Sequence, residues 1–159
     1  MGREPLSGDR VREAWARFEE LNRRYFNGEL QMEELRFNPR FRNTLGAFSL
    51  DGGRRRVIQL SSFYLELFGW EELEKVLLHE MIHLRLGCRG HGPRFRLLQA
   101  VVEKEYGPLR PRPIPAQAHR YLYICDRCGL EFGRWRKLKG GYLHRGCGGR
   151  LRLKRGQRR

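Results

Sequence analysis

Three of the five histidines in this chain lie between residues 79 and 91, in the segment VLLHEMIHLRLGCRGHGPRF (76–95). His79 and His83 are four positions apart, which places them on the same face of a helix. Glu80 follows His79, so its carboxylate lies beside that face. In an H-E-x-x-H pattern the two imidazoles bind zinc and the glutamate acts as a base toward water. The pattern predicts a catalytic zinc site with His79 and His83 as ligands and Glu80 as the catalytic residue.

A catalytic zinc ion needs a third protein ligand and an open coordination position. His91 is the candidate, because Gly87 and Gly90 allow the chain to turn back after the helix. One alternative remains open: His91 caps a helix, and Glu103 or Glu105 is the ligand in its place. The competing interpretation of the whole segment is an amphipathic helix whose histidines face solvent or pack. Burying two histidines and a glutamate in an apolar helix is costly unless those groups have partners, which favours the metal site.

The elements that position these residues follow from hydrophobic periodicity and from breaker residues. The VIQL stretch is expected to be the best-buried strand. An edge strand near the metal would hold an extended substrate peptide by backbone pairing, and the sequence leaves open which strand that is. The pattern predicts helices over about 9–26, 62–69, 71–86 and 93–106, and strands over about 34–41, 44–50 and 55–61.

A second metal site is predicted near the C-terminus. Cys125 and Cys128 form a C-x-x-C pair, and His144 and Cys147 form an H-x-x-C pair 15 residues later. Each pair is followed directly by a glycine, which permits the tight knuckle of a zinc ribbon. This spacing is typical of a closed, four-ligand structural zinc site. A redox-active C-x-x-C is the alternative, but it leaves the second pair unexplained.

Proline content and charge divide the chain into parts. The prolines of GPLRPRPIPA (107–116) predict a stiff linker over 108–119, where His119 is expected to be exposed. Residues 1–110 carry 19 Lys and Arg against 16 Asp and Glu, whereas residues 111–159 carry 14 against 2. The sequence therefore predicts a domain over 1–107 that contains the H-E-x-x-H helix, then the linker, then a zinc ribbon with a basic tail over 120–159.

The ribbon combines basic and aromatic residues. Basic side chains pair with phosphates, and exposed aromatic rings stack on unpaired bases. We therefore expect the ribbon to bind DNA that is single-stranded or has exposed bases. The alternative is a solvated basic face with a disordered tail that includes Arg158 and Arg159. The predicted nucleic-acid contacts are Arg134, Trp135, Arg136, Lys137, Lys139 and Arg152.

Composition restricts the cellular setting. No apolar run approaches the roughly 18 residues that span a bilayer, so no membrane partner is expected. The N-terminal residues contain no apolar signal core, which argues against secretion. We expect a cytoplasmic monomer, associated with the nucleoid if the source is a prokaryote.

Several segments resemble the SprT-like / Spartan family of zinc metalloproteases. The resemblance rests on RFEELNRRYFNGEL (17–30), VIQLSS (57–62) and the H-E-M-I-H helix followed by GHGPRF, and it extends over about 11–154. It implies an α+β fold, with a zincin-like domain whose small antiparallel sheet packs on helices, followed by the zinc ribbon. It also implies a catalytic zinc on His79, His83 and His91 with Glu80 as the catalytic glutamate.

The eukaryotic members of that family are DNA-activated proteases that degrade proteins crosslinked to DNA, and their zinc-binding subdomain engages DNA. The chain lacks the long tail that recruits unfoldase, clamp and ubiquitin partners, so those partners are not expected. The resulting prediction is a zinc-dependent endopeptidase with one catalytic and one structural zinc that acts on DNA-bound proteins. The alternatives are a zinc-ribbon nucleic-acid-binding protein without protease activity and a DNA-independent housekeeping peptidase.

Overall fold

A computed structural model describes residues 8–156 and divides the chain into two compact units, with the boundary between Arg112 and Pro113. The α+β class is confirmed, since helices and two small sheets alternate along the chain. In the first unit the elements are α1 (Gly8–Phe26), β1 (Glu34–Asn38), β2 (Gly46–Asp51), β3 (Arg55–Ser61), α2 (Ser62–Leu86) and α3 (Pro93–Tyr106).

The sheet of the first unit has the strand order β1-β3-β2. β2 and β3 form an antiparallel hairpin, but β1 pairs with β3 in parallel, with Leu35 opposite Ile58. The expectation of an antiparallel sheet is therefore wrong for this pair. β3 lies between the other two strands, parallel to β1 and antiparallel to β2. As predicted, β3 is the best-buried strand: Val57, Ile58 and Leu60 are fully buried.

The helix that carries H-E-x-x-H begins directly after β3. Ser61 caps it by accepting a hydrogen bond from the backbone N–H of Tyr64 at 3.0 Å. Gly69 interrupts the helical backbone with φ 80° and ψ −174°, so two helical segments meet there, near the boundary that the sequence predicts. The helix ends at Gly87, whose left-handed conformation is typical of a glycine that follows a helix.

The core of the first unit lies between α1, the sheet and α2. α1 contributes Phe18, Leu21 and Phe26, at the spacing that the sequence predicts. Trp15 is only half-buried and packs edge-on against Phe18, with 5.6 Å between ring centroids. α2 contributes its apolar side chains along both segments, so the helix with the histidines is anchored in the core.

The chain leaves α3 at Gly107, whose φ of 99° redirects it. Residues 107–112, here called the exit strap, then pack on the first unit. Leu109 is buried, and its backbone N–H donates to the Glu103 carboxylate at 2.9 Å. At the end of the strap, the N–H of Arg112 donates to Glu72 at 3.1 Å, and its carbonyl accepts from the Tyr64 hydroxyl at 3.1 Å.

The second unit, Pro113–Arg159, is built around an antiparallel sheet of order β5-β4-β6. Its strands are β4 (Tyr121–Cys125), β5 (Glu131–Arg134) and β6 (Leu151–Gly156), preceded by a 3-10 turn, Ala116–Ala118. His119 differs from the expected exposed linker residue: it is half-buried, and its ring lies 4.7 Å from that of Trp135. Glycine at position 133 on β5 leaves room for that imidazole. In neither unit does a described helix have the length and apolar character needed to cross a bilayer.

Candidate metal centres

The three histidines of the H-E-x-x-H segment converge on one point. The Nε2 atom of His91 lies 3.0 Å from Nε2 of His79 and 3.1 Å from Nε2 of His83. Three nitrogens bound to a tetrahedral zinc at 2.0–2.1 Å are about 3.3 Å apart, so these atoms are spaced as a zinc donor set requires. The loop after α2 brings His91 to the two helical histidines, as the sequence predicts.

Neighbouring groups fix the orientation of the imidazoles. Nδ1 of His83 lies 2.9 Å from the backbone carbonyl of Cys88. An N–H donated there leaves Nε2 with its lone pair directed at the cluster. Phe95 is buried, and its ring centroid lies 4.4 to 5.0 Å from those of all three histidines. The phenylalanine of the GHGPRF segment therefore forms a common support for the donor set.

Burial lowers the pKa of His79 to about 4, and the charges of His83 and His91 act in the same direction. Burial also lowers the pKa of His83. Both imidazoles are thus neutral near pH 7, which is the form that binds a metal ion.

The alternative ligands Glu103 and Glu105 have other partners. Glu103 accepts hydrogen bonds from Gln99 and from the backbone of Leu109. Glu105 pairs with Arg24 on α1 at 3.0 Å. Within residues 8–156, the group of possible ligands at this centre consists of His79, His83 and His91.

Glu80 lies beside the cluster and is nearly fully buried. Burial raises the pKa of its carboxyl group to about 7, although the backbone N–H of Phe48 donates to it and acts in the opposite direction. The contact with Phe48 places β2, an edge strand, beside this carboxylate. A carboxylate with a pKa near neutrality is suited to accept and release a proton.

The second candidate centre lies in the second unit and combines three cysteines with one histidine. Cys125 Sγ is 3.5 Å from Cys147 Sγ, and His144 Nδ1 is 3.1 Å from Cys147 Sγ and 3.3 Å from Cys128 Sγ. Backbone N–H groups of Cys128 and Arg127 lower the pKa of Cys125 to about 6, which favours the thiolate. The four donors could hold a metal ion, and their type and spacing fit structural zinc.

Most of the predicted nucleic-acid contacts are exposed, but Trp135 is not. Trp135 is half-buried against His119 rather than open for base stacking. Arg152 pairs with Asp126 at 3.5 Å, which reduces its availability. Among the described residues of this unit, the exposed aromatic side chain is that of Tyr142. The remaining exposed basic residues of the predicted set are Arg134, Arg136, Lys137 and Lys139. Arg158 and Arg159 lie outside the described residues.

Sequence reasoning missed two features next to the histidine cluster. Gly46, the first residue of β2, approaches α2 so closely that a Cβ atom there would meet Glu80. The exit strap brings Leu109 to a cavity that His79 and Glu80 also line. Spacing along the chain gave no signal for either, because both depend on contacts between distant segments.

Together, these features define a protein with an H-E-x-x-H histidine cluster and a ribbon, each of which could hold a metal ion. Comparison with known proteins agrees with this class. The chain matches the model of the SprT-like family over residues 14–127. It therefore belongs to the SprT-like family. The matched range includes the histidine cluster and ends between Cys125 and Cys128 of the ribbon.

Its relatives named "Protein SprT-like" are bacterial. The protein from Geobacillus sp. (strain WCH70) is 34% identical over 128 residues, covering 76% of this chain and 81% of the relative. The one from Geobacillus kaustophilus (strain HTA426) is 36% identical over 124 residues, covering 74% and 81%. The one from Bacillus anthracis (strain CDC 684 / NRRL 3495) is 31% identical over 144 residues, covering 85% and 90%.

Proposed function

We propose that this protein is a zinc-dependent endopeptidase with a zincin-like catalytic domain, and that it acts on proteins bound or crosslinked to DNA. The observation that carries the proposal is the convergence of three imidazole nitrogens beside a buried carboxylate. This arrangement supplies a metal donor set and a base within one small site. Membership in the SprT-like family supports the same reaction class.

Glu80 performs the proton transfers of peptide hydrolysis. His79, His83 and His91 would hold a zinc ion, which when bound would supply Lewis acidity to the scissile carbonyl and to the attacking water. The Glu80 carboxylate accepts a proton from the attacking water as the carbon–oxygen bond forms. It then passes that proton to the amine nitrogen as the carbon–nitrogen bond breaks. Burial raises the pKa of this carboxyl group above its ordinary value, which strengthens the carboxylate as a base toward water.

The position of β2 supports an extended peptide as the substrate. β2 lies at the edge of the sheet, and its Phe48 N–H reaches the Glu80 carboxylate. Extended peptides add to exposed sheet edges by backbone hydrogen bonding. A substrate strand on this edge would run beside the donor set.

The second unit supports an association with DNA. The zinc ribbon presents exposed basic residues between its two ligand pairs, and Tyr142 offers an exposed ring. Such surfaces bind phosphates and stack on unpaired bases. We propose that single-stranded DNA on the ribbon brings DNA-bound substrates to the active site, in the cytoplasm and with the protein as a monomer.

A single set of reactions tests the proposal against its alternatives. Wild type and Glu80→Gln are incubated with a basic DNA-binding protein, with and without single-stranded DNA. We expect fragments from the wild type, more of them with DNA, and none from Glu80→Gln, which retains its zinc. Absence of cleavage by the wild type with zinc bound would favour a non-catalytic binding protein. Equal cleavage with and without DNA would favour the DNA-independent peptidase.

A further inference from the structure

A cavity of about 270 Å³ opens beside Glu80 in the first unit. His79 and Glu80 line it at one end, so it is continuous with the metal site. Its other walls are largely apolar and come from Leu45, Val76 and the exit strap. An apolar space thus lies next to the Glu80 carboxylate, and peptide hydrolysis does not itself require such a space.

The exit strap forms a fixed wall of this cavity. Leu109 and Pro111 line it, and Leu109 is buried. The strap is held to α3 and α2 along its length: the N–H groups of Gly107 and Leu109 donate to Glu103, and Arg112 bonds both Glu72 and Tyr64. A wall anchored in this way is preformed, as is usual for small-ligand pockets.

The location of Glu80 indicates which part of a substrate enters the cavity. The carboxylate must reach the amine nitrogen that is released, and this nitrogen belongs to the residue that follows the scissile bond. The side chain of that residue is therefore the one nearest to the cavity. This step rests on the endopeptidase function proposed above.

The lining determines the kind of side chain that fits. Within residues 8–156, no lysine or arginine lines the cavity, so an acidic side chain would be buried without a partner. One water molecule occupies about 30 Å³ in the liquid, so the cavity has the volume of roughly nine water molecules. That space exceeds what a methyl group fills and accommodates a branched aliphatic or aromatic side chain.

We propose that this cavity is the specificity pocket of the enzyme and that it accepts a large apolar side chain, such as leucine or phenylalanine, from the residue following the scissile bond. Leu109 and Pro111 of the exit strap are specificity-determining residues in this assignment. Cleavage is then most efficient at an unfolded segment with a large apolar residue, a type of residue that folded proteins keep inside.

The test uses internally quenched peptides that differ only at one position, with leucine, phenylalanine, alanine, lysine or aspartate there. The zinc-loaded full chain is assayed with single-stranded DNA present, so that any need for DNA is met. Mass spectrometry of the products locates the cleaved bond. We expect kcat/KM for the leucine and phenylalanine peptides to exceed that for the alanine peptide by about 10-fold or more. Aspartate is expected to be the poorest.

Variants connect the preference to the cavity. Leu109→Ala removes part of the wall and should reduce the leucine-to-alanine ratio to about 2 or less, while cleavage of the phenylalanine peptide persists. Pro111 is half-buried at the same wall, and Pro111→Ala provides the same test if Leu109→Ala does not fold. Leu97→Ala, at a leucine that is 70% exposed on α3, is the matched control and should leave the ratio unchanged.

The assignment would be overturned by equal cleavage of all five peptides, or by an apolar preference that both strap variants leave intact. A preference that maps to the residue before the scissile bond would also contradict it. If the protein is not an endopeptidase, the zinc-loaded wild type will cleave none of the peptides. That result differs from each result that contradicts only the pocket assignment.

Discussion

Replacing Gly46 by alanine tests how β2 and α2 are packed together. A Cβ atom at position 46 would lie 2.7 Å from Val76 Cγ1 and 2.9 Å from both Cγ and Oε1 of Glu80. Ordinary contacts begin at 3.4 Å, so the strand and helix must separate by about 0.7 Å at the first of these pairs. Val76 and Glu80 are both nearly fully buried, so the added methyl group must displace a core side chain or the Glu80 carboxylate.

The expected effect has two parts. Overpacking of this kind typically costs about 1–3 kcal/mol of unfolding free energy. For a unit of this size, that corresponds to a melting temperature lower by at least about 4 °C. A displacement of a catalytic group by about 1 Å typically lowers the rate by about 100-fold, so we expect kcat/KM to fall by one to two orders of magnitude.

The assay combines a thermal melt, the zinc content and kcat/KM on a quenched apolar peptide. Gly141→Ala is the matched control, because a Cβ atom there would meet nothing within 4 Å. We expect that variant to behave as the wild type. If Gly46→Ala retained its full zinc content, melting temperature and activity within about 2-fold, the close approach of β2 to Glu80 would be refuted.

Three further perturbations test other parts of the molecule. Tyr64→Phe removes the hydroxyl that donates to the Arg112 carbonyl. Burial raises the pKa of Tyr64 to about 12, so the hydroxyl is a protonated donor at neutral pH. We expect the unfolding free energy, measured by denaturant titration, to fall by about 1 kcal/mol. Removing zinc with a chelator should unfold the second unit, and two-dimensional NMR should show its amide signals collapse and return when zinc is restored. Replacing Arg136, Lys137 and Lys139 together by alanine should weaken binding of single-stranded DNA. The slope of the logarithm of the binding constant against the logarithm of the salt concentration should become shallower by about 0.7 for each phosphate that is no longer neutralised. Lys104→Ala on α3 should change neither the affinity nor this slope.

The arrangement of the histidine cluster was predictable because its determinants are local. A four-residue separation on a helix fixes the relation of His79 to His83, and two glycines mark the turn that returns His91. The prediction of α3 over 93–106 is confirmed for the same reason, since proline begins it and glycine follows it. The ribbon ligands were recognisable because a four-ligand zinc site requires two short pairs at a limited distance.

The remaining features depend on contacts between segments that are far apart in sequence. Parallel pairing of β1 with β3 cannot be inferred from strand patterns, because the same alternation suits either direction. The sequence does not distinguish Gly46 from other glycines at the start of a strand, because the residues that contact it are on α2, far away in sequence. Trp135 was expected to be exposed because it lies among basic residues, but its ring packs against His119, a contact that sequence spacing does not reveal.

The location of zinc in crystals of the full chain, measured by anomalous diffraction at the zinc edge, tests the proposed catalytic site most directly. We predict one peak equidistant from the Nε2 atoms of His79, His83 and His91, at about 2.0–2.1 Å from each, and a second among the ribbon ligands. Zinc confined to the ribbon, with the three imidazoles separated and bonded elsewhere, would contradict the central claim that the first unit contains a hydrolytic metal site.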